Sequence, residues 1–199
     1  MPTTRPVWIT PIAIAAAFAI ASSPVAPVAA APGGSDAVTA QAGAGPILVI
    51  ETPKGTFEIQ LLPADAPRSV EHILALAKRN FYRGQRFHRV EPTLAQFGDP
   101  GSRDMSRIDY WGGGGSGQPI GIAEFSKRLT HVRGTVALAH SGNARSADSQ
   151  LYIMKAASPS LNGKHVIVGR VTAGMPVVDR IVKTDRLINV TIKAAGPSV

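Results

Sequence analysis

The 199-residue chain contains no cysteine. Disulfides, thiolate metal sites, cysteine nucleophiles and lipid attachment through an N-terminal cysteine are therefore excluded, and stability has to come from packing and backbone pairing. A long hydrophobic run is missing as well. The most apolar stretch, Ile12 to Ala21, lies between Pro11 and Pro24 and falls short of the ~20 residues that a membrane-spanning helix needs. The five histidines, His72, His88, His131, His140 and His165, show no i, i+4 pair of the H-E-x-x-H kind and no accompanying carboxylate cluster. No metal and no other cofactor is expected. A G-x-S-x-G elbow is absent too, so Ser149, His88 and Asp99 read as a chance co-occurrence of hydrolase residue types. Lys and Arg are scattered without a run of five or six, which argues against a nucleic-acid partner despite the formal net charge of +8.

What is present suits one folded domain. Apolar residues make up 44% and charged residues 17%, near the globular average. Residues 1–30 read as a secretory signal: Arg5 supplies the positive start, Ile12 to Ala21 the apolar region, and Val28-Ala29-Ala30 a small-residue cleavage site. Its removal takes away one charge, Arg5, and lowers the net value from +8 by one. Residues 31–45 hold small residues without apolar periodicity and read as a flexible linker. The domain is expected over residues 46–199 as an exported monomer, periplasmic or secreted, that is not inserted in a membrane.

Within it, Ile47–Ile50 and Phe57–Leu61 flank Pro53-Lys54-Gly55, the signature of a hairpin. Asp65 ahead of Ala66-Pro67 suggests a capping carboxylate and a first-turn proline. The following helix ends near Asn80 and buries Val70, Ile73, Leu74 and Ala77. Short apolar runs at residues 86–90, 94–97, 135–139, 150–154, 166–171 and 187–192 bring the strand count to eight, and a second helix is expected from Met175 to about Lys183. This mainly β pattern predicts a closed eight-stranded antiparallel barrel with two capping helices and a filled interior, so the site should lie on the outer surface or in the loops. Gly112 to Gly117 satisfies the G-x-G-x-x-G spacing, but Pro119 follows and no strand–helix context surrounds it, so it reads as a flexible loop. Asn189-Val190-Thr191 is a sequon inside an expected strand and carries no weight.

Phe87-His88-Arg89-Val90 is the most informative stretch. Alternation puts Phe87 and Arg89 on one face. Followed by Pro92, Gln96, Gly98, Asp99 and Pro100, and by the blocks 123–125, 133–139, 146–153 and 161–169, it resembles the cyclophilin family of peptidyl-prolyl cis/trans isomerases over about residues 46–193. The resemblance implies a closed eight-stranded barrel with two helices and proline-containing polypeptides as substrates. It implies that Arg89 is the catalytic residue and that Gln96 and Gln150 are polar groups around it. His88 is counted with the substrate-binding residues. Tyr152 takes the place of a usual phenylalanine at the pocket floor, Leu161 and His165 match the rim, and Ala139 and His140 fall on the strand edge that binds substrate backbone. The chain also departs from the pattern. The segment before Gln96 is one residue shorter, which removes the pocket phenylalanine and leaves Leu94 as its substitute. Ser160 stands where many eukaryotic members carry a tryptophan, which predicts weak ciclosporin binding. An exported chaperone or binding module that holds proline segments with little turnover is the other reading, and a peptide isomerisation assay separates the two.

Overall fold

The computed structural model describes residues 45–194; the expected signal segment and nearly all of the linker lie outside them. The first hairpin forms as its turn chemistry dictates. Strand β1 (Ile47–Thr52) pairs with β2 (Gly55–Leu61) around Pro53 and Lys54, and Leu48, Ile50, Phe57, Ile59 and Leu61 alternate into the core. Helix α1 (Pro67–Lys78) buries Val70, Ile73, Leu76 and Ala77, and Leu74 packs half-buried against the same core, so Leu76 joins the expected stripe. After β3 (Arg89–Val90) and β4 (Leu94–Phe97) come β5 (Thr135–Leu138), β6 (Leu151–Met154), β7 (Ile167–Ala173), α2 (Met175–Arg180) and β8 (Asn189–Lys193). All pairings are antiparallel, in the order β3-β4-β6-β5-β7-β2-β1-β8.

Four expectations need correction. The barrel is less than closed, because no ladder joins the edge strands β3 and β8. The seam is spanned instead by an isolated bridge, Arg86 with Arg186, and by main-chain hydrogen bonds that include Gly84 N to Leu187 O at 2.8 Å and Phe87 N to Asp185 O at 2.9 Å. This partner exchange splits the expected 86–90 strand. Residues 84–87 pair with residues 184–187, whereas Arg89 and Val90 pair with β4. Phe87 is therefore fully buried, 5.3 Å from the Phe97 ring centroid, and Arg89 is exposed. The two do not share a face.

The same seam shortens α2. Ile181 turns extended, and Thr184 N donates to Phe87 O, so the chain leaves the helix well before Lys183 to reach its partner. Asp65, lastly, does not cap α1. Its carboxylate takes a bidentate pair from Arg128 and a hydrogen bond from Ser126 Oγ. The free amides of the first turn are met from 55 and 56 residues away: Glu124 accepts from Arg68 N at 3.0 Å, and from Ser69 N and Ser69 Oγ at 2.8 and 2.7 Å.

The core holds the inward residues of the sheet, among them Ala95, Phe97, Val136, Leu138, Leu151 and Ile153, together with the buried faces of both helices. The alternate positions on the same strands, Leu94, Ala137, Tyr152, Met154 and Ile167, form a second apolar cluster, against which Leu129, Ala139 and Leu161 pack. Strands β4, β5 and β6 are consequently buried at every position. The outer side of this part of the sheet is a platform able to carry a site.

Candidate functional site

Leu94 and Tyr152 on that platform form part of the lining of a cavity of about 430 Å³ whose other walls include Arg89, Gln96, Gly112 to Gly115, Ala139, His140, Gln150, Leu161 and His165. The β register assembles it. Gln96 lies opposite Arg89 on one side and opposite Tyr152 on the other, so the guanidinium, the amide and the phenol share one side of three neighbouring strands.

Polar contacts then fix the wall. Arg89 Nε donates to Glu91 Oε1 at 2.7 Å, and Nη1 reaches Gln96 Oε1 at 3.5 Å, the limit of a hydrogen bond. Among the described residues Nη2 makes no hydrogen bond. Arg89 and Glu91 are each about half exposed, so this pair orients the side chain more than it stabilises the fold. Gln96 Nε2 donates to Gln150 Oε1 at 2.8 Å, and Gln150 Nε2 donates to the carbonyls of Gly112 and Gly114 at 2.8 and 2.7 Å. Asp99 accepts from Gly101 N and Gly112 N. The glycine segment is thus tied down as a wall of the cavity. A Cβ at Gly115 would meet Asp148 Oδ2 at 2.6 Å, and one at Gly114 would collide with Asp99 Oδ1, so side chains are excluded there by close approach.

Behind Tyr152, the buried His131 places Nδ1 3.0 Å from the acceptor Asn162 Oδ1 and so carries a proton; its Nε2 then accepts from Tyr152 Oη at 2.9 Å. Burial pushes the Tyr152 hydroxyl up. Burial also pushes His131 and His165 below the ordinary imidazole range, with the Leu138 carbonyl at 3.1 Å from His165 Nδ1 working weakly in the opposite direction. Leu94 and Leu161 give the cavity its apolar surface beside the Tyr152 ring, and the Arg89 guanidinium belongs to the same lining.

Nine of the eleven residues singled out from sequence line this cavity. His88 does not. It is 7% exposed and packs behind Gly112, with neither ring nitrogen hydrogen-bonded, because Gln150 directs its amide at the glycine carbonyls instead. Burial holds its pKa low, although the nearby Asp99 charge opposes this. Ser160 is the other absentee; it is exposed and its hydroxyl lies 3.3 Å from that of Ser158. The hydrolase triad does not assemble either, since Ser149 Oγ donates to Gly98 O and Asp99 is committed to backbone amides. Sequence reasoning missed Glu91, Asp99, Asp148 and the glycine wall. Asp148 accepts from Ser116 Oγ and Gly117 N and faces His72 Nε2 at 3.0 Å, contacts that span up to 76 positions of chain. The repeated glycine and the place of Asp99 in the motif after Gln96 and Gly98 were the visible signals.

Residues 47–196 match the protein family described as cyclophilin type peptidyl-prolyl cis-trans isomerase/CLD. A protein of Brucella suis named a probable peptidyl-prolyl cis-trans isomerase is 39% identical over 150 residues, covering 73% of this chain and 76% of that one. A peptidyl-prolyl cis-trans isomerase of Helicobacter pylori is 32% identical over 149 residues, covering 73% and 86%. In three dimensions the chain is similar to a cyclophilin type peptidyl-prolyl cis-trans isomerase of Cryptosporidium parvum, with a TM-score of 0.64 and 23% identity over 74% of this chain and 97% of that one. That last likeness concerns the fold.

Proposed function

The chain belongs to the cyclophilin-type peptidyl-prolyl cis-trans isomerase family, and we propose that it accelerates X-Pro rotation in exported polypeptides with Arg89 as its catalytic residue. The uncatalysed rotation faces a barrier of roughly 18 to 20 kcal/mol, because the amide loses resonance as it twists. No bond is made or broken, so neither nucleophile nor metal is called for. Acceleration requires only that the protein bind the twisted amide better than either planar form.

One observation carries the assignment: the Arg89 guanidinium stands at the edge of an apolar floor with its Nη2 hydrogens unpaired, while Glu91 and Gln96 hold its other nitrogens. A proline ring seated among Leu94, Tyr152 and Leu161 would bring its imide nitrogen toward that edge. On twisting, this nitrogen regains its lone pair and becomes an acceptor, and a preorganised donor there favours the transition state selectively. The guanidinium suits the task as a rigid planar fork. Ala139 and His140 lie at the cavity margin, where substrate backbone would run.

A protease-coupled or NMR exchange assay on a proline tetrapeptide tests this. Arg89→Ala should lower kcat/KM about 100- to 1,000-fold while melting like the parent, since an exposed side chain contributes little to the core. Arg89→Lys should be impaired as well. If Arg89→Ala isomerises the peptide at the parental rate, the assignment is wrong.

The export reading rests on the order of positive, apolar and small residues in residues 1–30, which supports cleavage near Ala30. N-terminal sequencing of the protein from an exported fraction tests it; an intact Met1 on membrane-bound protein would refute it. No described helix is long and apolar enough to cross a membrane.

A further inference from the structure

The substrate cavity does not end at His140 and His165. Beyond them opens a second cavity of about 640 Å³, lined by Ala123, Phe125, Arg145 and Lys164 and sharing both histidines with the first. The shared wall is rigidly built. The two imidazoles stack with centroids 4.3 Å apart, and His140 Nε2 donates to Lys164 O at 2.9 Å.

The lining of this second cavity contains no carboxylate. Arg145 and Lys164 are exposed, and among the described residues neither makes an ion pair. Phe125 is 43% exposed. Unpaired cations beside an apolar face, in a lining that holds no carboxylate, form a surface that attracts a carboxylate and repels an ammonium. The lining of the substrate cavity, by contrast, includes the carboxylate of Asp148.

We propose that the second cavity is a specificity subsite for an acidic side chain, Asp or Glu, of the same polypeptide whose proline occupies the first. An extended chain advances about 3.3 to 3.6 Å per residue, so a cavity sharing a wall with the proline site is within reach of residues close to that proline. The methylene stem of a glutamate would lie along Phe125 and Ala123 while its head meets Arg145 and Lys164. The inference rests on the isomerase reading for its substrate and adds to that reading a sequence preference.

The test uses the full chain and short peptides with a single Ala-Pro bond. Glu, Gln or Lys is placed in turn at each of three positions on either side of the bond, with kcat/KM read by NMR exchange and Kd by titration. At one position or two adjacent ones, Glu should be favoured over Lys by about three- to tenfold at low ionic strength, with Gln between them, and the preference should shrink in concentrated salt. The double variant Arg145→Glu with Lys164→Glu should invert the ratio, and Lys164→Gln alone should reduce it, which keeps the test decisive if the double variant folds poorly. Equal Glu and Lys values at every position, or a preference that survives charge reversal, overturns the subsite. Because Kd is measured apart from turnover, peptides that bind with the charge preference but never isomerise would sink the isomerase reading and leave the subsite standing.

Discussion

Gln96 Nε2 donates to Gln150 Oε1 at 2.8 Å, and this bond sets which way both amides face. With its nitrogen spent on Gln150, Gln96 turns its oxygen toward Arg89; with its oxygen spent on Gln96, Gln150 turns its nitrogen toward Gly112 and Gly114. The arginine edge and the glycine wall are thereby coupled through two side chains 54 positions apart in the chain. Gln150→Ala should uncouple them. We expect kcat/KM to fall about tenfold, the range of one or two hydrogen bonds of ~0.5 to 1.5 kcal/mol each, with faster amide exchange across Gly112 to Gly115. Unchanged exchange in that segment would show that the wall holds itself.

Glu124 closes the first turn of α1 with three hydrogen bonds from Arg68 and Ser69. Glu124→Ala should cost about 1 to 2 kcal/mol, the scale of a lost helix cap, read as a lower urea midpoint at constant m-value. Glu124→Gln, which keeps one acceptor, should fall between. A parental midpoint for Glu124→Ala would show that solvent satisfies the helix end equally well.

Acid should destabilise the protein through His88 before its carboxylates titrate. Burial lowers the folded-state pKa of His88 below its unfolded value, so the unfolded chain takes up a proton that the folded one refuses. The contribution is fully present above the unfolded value of about 6.5 and is lost as pH falls below it, through the folded pKa. Melting temperature should hold between pH 8 and 7 and decline from about pH 6.5 downward. His88→Phe replaces a buried ring whose nitrogens have no hydrogen bond by an apolar ring and should flatten that decline. A decline of the same steepness in His88→Phe would assign the acid response to other groups, His131 first.

Ciclosporin should bind weakly. Ser160 is exposed and outside the cavity that Arg89 lines, so the groove offers neither a large aromatic surface nor an indole N–H there. Ser160→Trp should tighten binding by tenfold or more, measured by calorimetry. Nanomolar binding to the parent would show that the tryptophan is dispensable in this groove.

Periodicity and turn chemistry were enough to determine the eight strands, the first hairpin and the start of α1 at Pro67, because each depends on neighbours a few residues apart. The residue types on the platform were legible for the same reason: alternation along β4 and β6 puts Leu94, Gln96 and Tyr152 on one side whatever surrounds them. Tertiary structure alone decided the rest. Phe87 and Arg89 part company because residues 84–87 find their hydrogen bonds across the seam, at residues 184–187, and backbone groups take the partners that the closing sheet offers. His88 retreats behind Gly112 in consequence, and the glycine run becomes a wall only because Gln150 and Asp99, remote in sequence, supply the acceptor and donors it lacks. Asp65 looked like the cap of α1 by proximity, yet Arg128 claims it and Glu124 takes its place. A local pattern records what a residue can bond to; which of the possible partners it meets is set by the path of the chain between them.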